Sequence, residues 1–174
     1  MINKVLEELE LHCNENFSGK LNLLSNNSQL LGTIQYYKGN IVECSFGKNQ
    51  GLDAIESIVA NFLYQDSLSI MPEPEIITQE RSSLYQDSSK LLFYIKSLFT
   101  KKYNQIRPIE NILVEPSFIK NGKNLSKKEF DILYSIAKYN NIDDIKNSLN
   151  LDACLFQHYL GRLTDKKAIR YIGE

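Results

Sequence analysis

The chain has almost no net charge, since twenty Lys and Arg stand against twenty-one Asp and Glu in 174 residues, a formal −1. That balance excludes a chain-wide electrostatic draw toward nucleic acid or an anionic membrane. No apolar run approaches the ~20 residues a membrane span needs. Residues 1–10 alternate apolar with acidic positions and lack the basic start and apolar centre of a signal peptide. Cysteines are few and odd in number: Cys13, Cys44 and Cys154 are widely spaced among apolar neighbours. They are expected as buried free thiols in a reducing cytoplasm, not as a disulfide framework. The two histidines, His12 and His158, fall in different parts of the chain, and no cysteine has a second ligand at metal-binding spacing. The same shortage leaves any Cys or Ser nucleophile without a base. Residues 47–51 begin and end with glycine but lack the Gly-Lys-Ser/Thr ending of a phosphate loop, so a turn before a helix is expected. The carboxylate pairs Glu7-Glu8 and Asp143-Asp144 are expected near helix starts, where the backbone dipole favours acids. The sequence thus predicts no catalytic residue, no metal and no cofactor.

What is present is ordinary globular material, 43% apolar and 24% charged. Its charge is unevenly spread. Residues 1–89 hold five Lys/Arg against twelve Asp/Glu, residues 90–124 seven against two, and residues 125–174 eight against seven. Three segments with different surfaces follow.

In the first segment Ile2, Val5, Leu6, Leu9 and Cys13 recur at helical spacing, predicting a helix near 2–13. Alternation and turn residues predict strands near 20–24, 32–37, 41–46 and 67–71, the last closed by Pro72 and Pro74. The third strand is expected to place Val42, Cys44 and Phe46 on one face. Ile55, Ile58, Val59, Phe62 and Leu63 form an amphipathic stripe, predicting a helix near 53–64. Strands joined by tight turns pair antiparallel, and two helices can cover one face of the sheet. Residues 1–76 therefore read as an α+β domain.

Residues 77–124 read as a linker carrying a basic amphipathic helix near 88–103. Leu91, Leu92, Ile95, Leu98 and Phe99 line one side, and Lys90, Lys96, Lys101 and Lys102 the other. Ile112, Leu113 and Val114, between Pro108 and Pro116, fit either strand or loop. Residues 125–174 sharpen again. Ser126 and Glu129 form a capping box, followed by Phe130, Leu133, Ile136 and Ala137 on one face. A short helix over 143–149 comes next, and a third that buries Leu155, Phe156, Tyr159, Leu160 and Leu163. A strand over 168–172 closes the chain. Three helices and a strand give the C-terminal part a winged-helix-like pattern.

Phe17, Ser18, Gly19 and Leu21, then Gly32 and Ile34, Gly39, Ile41 and Val42, and Gly51, Ala54 and Ile55 keep a recurrent spacing of glycine and apolar residues. Residues ~5–76 resemble the PATAN family of bacterial signalling domains in that spacing, with Cys44 where a small alanine is usual and Ile55 where leucine is common. The resemblance implies a leading helix, a glycine-marked hairpin and a contact role without catalysis. The C-terminal phrase from Leu163 to Ile172 resembles a winged-helix approach to the wing, with Ala168 in place of the usual glycine.

Two functions compete. The first is a cytoplasmic bacterial regulatory adaptor that holds a protein partner, homodimerisation being its simplest form. Tyr37 and Lys38 at the hairpin, or the basic middle helix, would supply the contact. Tyr36 and Tyr37 are neighbours on one strand, so one must face inward and the other outward. The rival is a winged-helix regulator of transcription. There Arg162, Lys166 and Lys167 would hold phosphates and Gln157 and His158 would read bases, with His158 at the surface. Asp152 and Asp165 would oppose phosphate, which favours the adaptor.

Overall fold

A two-residue turn shapes the first half of the chain. In the computed structural model, which describes residues 2–65, 68–76, 80–84, 87–103, 112–121, 124–139 and 141–172, Tyr37 pairs with Asn40 across Lys38 and Gly39. Both turn residues have positive φ, 48° and 77°, the mirror-image turn whose twist matches that of paired strands. A β-carbon at position 39 would also run into the carbonyl oxygen of Cys13, so glycine is required there on two counts.

The chain divides into two units, Met1–Lys102 and Tyr103–Glu174. The first contains α1 (Ile2–Asn14), β1 (Gly19–Ser25), β2 (Leu30–Tyr37), β3 (Asn40–Phe46), β4 (Asn49–Gln50), α2 (Gly51–Tyr64), β5 (Leu68–Pro74) and α3 (Ser88–Leu98). Its five strands form one sheet in the order β4-β3-β2-β1-β5, with every neighbouring pair antiparallel. Helices and antiparallel sheet together make the α+β class that the sequence predicts. Glu7 and Glu8 lie in the middle of α1, not at its start.

Three details depart from the sequence reading. Residues 49–50, expected as loop, pair with β3 as a short edge strand. A bulge beside Val42 resets the face of β3, so that Ile41 pairs with Tyr36 and is fully buried while Val42 is half-buried. The core residues of β3 are therefore Ile41 and Cys44. Finally, β5 runs through Pro72 and Pro74 instead of stopping at them. Glu75 N–H donates to the Ser18 carbonyl, so the odd-numbered positions face β1, and the prolines sit where the missing N–H would have pointed away from the sheet. Proline at such edge positions removes no ladder bond and blunts the edge against strand addition.

Leu21, Leu23, Ile34, Tyr36, Ile41 and Cys44 are buried on one face. On that face Tyr36 Oη donates to the Leu9 carbonyl at 3.4 Å, and α2 packs on β3. The opposite face is polar, with Asn22 donating to Glu73 and Thr33 bonded to Ser45. Helix α3, which the sequence assigns to a linker, belongs to this first unit. Leu91, Leu92, Ile95 and Leu98 are buried and the helix packs against α1. It ends at Leu98, short of the expected 103, because Phe99 leaves helical geometry and is itself buried.

The second unit contains β6 (Ile112–Val114), α4 (Pro116–Asn121), α5 (Lys127–Lys138), α6 (Ile142–Leu149), α7 (Ala153–Asp165) and β7 (Ile169–Tyr171). Ile112, Leu113 and Val114 are strand, paired antiparallel with Tyr171, Arg170 and Ile169. Of residues 104–124, which the sequence leaves open, residues 104–111, 122 and 123 lie outside the described residues. The capping box forms as expected, with Ser126 Oγ accepting from the Glu129 N–H. The stripe on α5 differs from expectation. Ile132, Leu133 and Ile136 are buried together with Glu129, while Phe130 is half-buried and Ala137 exposed. Helix α7 buries Leu155, Phe156, Tyr159, Leu160 and Leu163 as predicted. It starts at Asp152, whose carboxylate accepts from the Leu155 N–H, and ends in a turn with Lys167 at φ 59°.

Candidate functional site

On helix α7 the spacing of the apolar residues predicts an outward face of Gln157, His158, Gly161, Arg162, Asp165 and Lys166. Four of those six lie along one strip, and Tyr103 covers it. Gln157 Nε2 donates to the Tyr103 carbonyl at 3.1 Å, and Tyr103 Oη donates to Asp165 at 3.0 Å. Between them the Tyr103 ring meets His158 edge-on, with centroids 5.4 Å apart, and passes over Gly161, where a β-carbon would collide with the ring. His158 is fully buried. It is a core residue wedged between Tyr103 and Tyr159, and its expected place at the surface is corrected accordingly.

The two cations expected to hold phosphate are also engaged. Arg162 Nε lies 2.9 Å from Glu129 Oε1 and Lys166 Nζ 2.8 Å from Oε2, while Glu129 itself has no exposed surface. Lys166 donates as well to the Asn124 carbonyl, and Ser126 N–H donates to Glu129 at 2.6 Å. Burial alone would push the Glu129 carboxyl up. The bonds from Lys166, the Ser126 N–H and Arg162 outweigh it and hold the group below its ordinary value. Arg162 and Lys166 thus neutralise a buried acid while keeping part of each side chain in water. Of the five residues expected to touch nucleic acid, Gln157, His158, Arg162 and Lys166 serve intrachain contacts, and Lys167 is exposed. Sequence spacing showed the cap at Glu129 but carried no sign of its partners, 33 and 37 residues further on.

At the hairpin, Tyr36 is fully buried and Tyr37 half-buried, the inward and outward pair that adjacent strand positions require. Lys38 is exposed, its Nζ 5.1 Å from the Tyr37 ring centroid. Its backbone N–H donates to Ser18 Oγ, which fixes the turn.

Among the described residues, helix α3 presents the most exposed aromatic side chain. Phe93 is 76% exposed, on the side away from Leu91, Leu92 and Ile95, and Tyr94 beside it is 39% exposed. Lys96 bonds to Glu10 of α1 and Tyr94 Oη to Glu56 of α2, so the helix is held on both flanks while Phe93 projects between them. Lys90 is exposed on the same surface. Phe93 falls outside the apolar stripe of Leu91, Leu92, Ile95, Leu98 and Phe99, and the spacing alone gives it no role.

Burial pushes the Cys13 thiol up to about 11, with Glu10 and Asp87 adding to the shift, and raises Cys44 further. His12 is buried, stacked on Phe17 at 4.6 Å and edge-on to Tyr36, with Glu8 3.6 Å from Nε2. Among the described residues no three His, Cys, Asp or Glu side chains gather where a metal could be held. No helix formed by these residues is long and apolar enough to cross a membrane.

No family model matches the chain, and no curated protein or solved structure shows significant similarity to it.

Proposed function

We propose that the chain is a non-enzymatic regulatory adaptor of the bacterial cytoplasm that holds a protein partner through α3. The observation that carries this reading is Phe93. A phenylalanine left 76% in water on an ordered helix offers a partner about 1.5–3 kcal/mol of transfer free energy if buried. Aromatic anchors of this kind, rimmed by polar residues, dominate contact surfaces. Here the rim is Lys90, Ser89, Ser97 and Lys96, all exposed. The spacing of glycines that resembles PATAN domains supports a contact role for the same unit. The elevated thiols support the absence of catalysis, since a protonated Cys is a poor nucleophile. The winged-helix reading of DNA loses force because Tyr103 and Glu129 occupy the groups that would do the reading.

Capture from the native cytoplasm, compared between the parent chain and Phe93→Asp, tests the proposal. The parent should retain a discrete protein, or a second copy of itself, and the variant should lose it while keeping the same thermal transition. Retention of duplex DNA with no protein recovered would overturn the adaptor and favour the transcription regulator.

A further inference from the structure

The first 89 residues hold only five cations, and two of them, Lys38 and Arg81, line one concavity. It is a shallow space of about 470 Å³, bounded by Tyr37, Lys38, Asn40, Glu80, Arg81 and Ser82. Sequence reading reached Tyr37 and Lys38 as a contact pair but not Arg81, which lies far along the chain and is brought back by the fold. Leu84 N–H donates to the Ile41 carbonyl, and Ile41 N–H donates to Ser88 Oγ. Residues 80–84 are thereby strapped along the part of β3 that β4 leaves uncovered.

Arg81 is held in place by its side chain and Lys38 at its backbone. Arg81 Nη1 donates to Gln35 Oε1 at 2.6 Å, and Gln35 is buried, so the guanidinium is anchored on the sheet. The Nε and Nη2 side of its fork bonds to no described residue. Lys38 lies against the Tyr37 ring, with its backbone fixed by Ser18. The anchored guanidinium of Arg81 loses less entropy on binding than a free surface side chain does. Glu43 stands at 4.0 Å from Arg81 and is 65% exposed, so water screens it heavily. Among the lining residues two cations face one acid, Glu80.

We infer that this concavity binds the side-chain carboxylate of an acidic protein segment. The vacant edge of Arg81 matches the two oxygens of a carboxylate, as a planar fork does. Lys38, the Asn40 amide and the Ser82 hydroxyl supply the surrounding donors. With Glu43 counted beside Glu80 the cluster holds two cations and two acids, a balance that suits a monoanion better than a phosphoryl dianion. Phe93 is not among the residues that line the site, and the inference rests on the adaptor reading only in taking the ligand to be protein.

Titration of the ¹⁵N-labelled full chain with end-capped hexaglutamate tests it. Saturable shifts are expected at the amides of Lys38, Gly39, Asn40 and Ser82 and at the Arg81 Nε–H, with none from capped hexaglutamine. Arg81→Gln and Lys38→Asn should each weaken binding on the order of tenfold, the loss of one charge-assisted hydrogen bond. Asparagine is chosen at 38 because it tolerates positive φ. Amide spectra of the variants report whether the fold is kept, and Arg81→Lys, which retains charge without the fork, should bind between parent and Arg81→Gln. Shifts confined to Lys90 and Lys96, or unchanged affinity in both variants, would overturn the assignment. A capped phosphoserine peptide binding tenfold more tightly than hexaglutamate would overturn the choice of carboxylate. The titration reads the hairpin and capture reads α3, so either can fail while the other succeeds.

Discussion

The ring of Tyr103 occupies the space that a side chain on residue 161 would need, and Gly161 leaves it open. Glycine inside a helix ordinarily costs about 1 kcal/mol relative to alanine, so Gly161 is retained against local propensity. Its benefit is the set of contacts that Tyr103 makes with Gln157, His158 and Asp165.

A double-mutant cycle in urea unfolding should expose this pairing. Gly161→Ala is expected to destabilise the chain when Tyr103 is present, because the ring must leave its seat. In the Tyr103→Ala background the same change should stabilise by up to about 1 kcal/mol, the bare helix preference. Additive effects of the two substitutions would show that ring and helix are independent.

Glu129→Ala removes an acid with no exposed surface and strands two cations. Breaking a buried ion pair from one side typically costs about 3–5 kcal/mol. The lower end is expected, since Arg162 and Lys166 keep 18% and 28% of their side-chain surface in water. The transition of the second unit, followed by urea denaturation, should move accordingly. A change under about 0.5 kcal/mol, the range of ordinary surface substitutions, would contradict the role given to Glu129.

Much of this architecture was legible from residue spacing. Turn residues at 38–39 and the stripe of Ile55, Ile58, Val59 and Leu63 are local signals, and the sheet and α2 follow from them. What escaped the sequence is set by contacts between distant residues. The bulge at Val42 changes which side of β3 is buried without altering its alternation, and β4 is two residues that become strand only by lying beside β3. His158 and Arg162 looked outward because the helix wheel has a polar side, but that side is covered by Tyr103 and tied to Glu129. Helix α3 showed its apolar stripe plainly, yet nothing in its spacing said that the stripe docks on α1. The polar face of α7 and Arg81 differ in the same way: their meaning depends on residues ~30–60 positions away, beyond any helical or strand period.

Stability should fall in acid partly through Glu129. Its folded pKa is below the ordinary value of 4.5, so its contribution is complete above that value and is lost as pH falls through the folded one. Glu129→Gln should therefore show a shallower acid limb in a plot of unfolding free energy against pH. Parallel limbs for parent and variant would contradict the depressed pKa.

The thiols make the opposite prediction. Cys13, raised to about 11, and Cys44, raised further by burial, keep their protons in the folded chain above pH 9 while the unfolded chain loses them. Their contribution is present below pH 9 and wanes as pH rises above it. Iodoacetamide at pH 8 should label both at least about tenfold more slowly in the native chain than in urea, because the thiolate is the reacting form. Equal rates at Cys13 in the two states would contradict its burial and raised pKa.

The central claim is that α3, and not α7, meets the partner. Site-specific photo-crosslinking in the native cytoplasm tests it most directly, with the crosslinking side chain placed at position 93 in one sample and at the exposed positions 167 and 170 in others. The account predicts a discrete protein adduct, a second copy of the chain included, from position 93 and no nucleic-acid adduct from 167 or 170. Adducts to DNA from 167 and 170, with none to protein from 93, would contradict it.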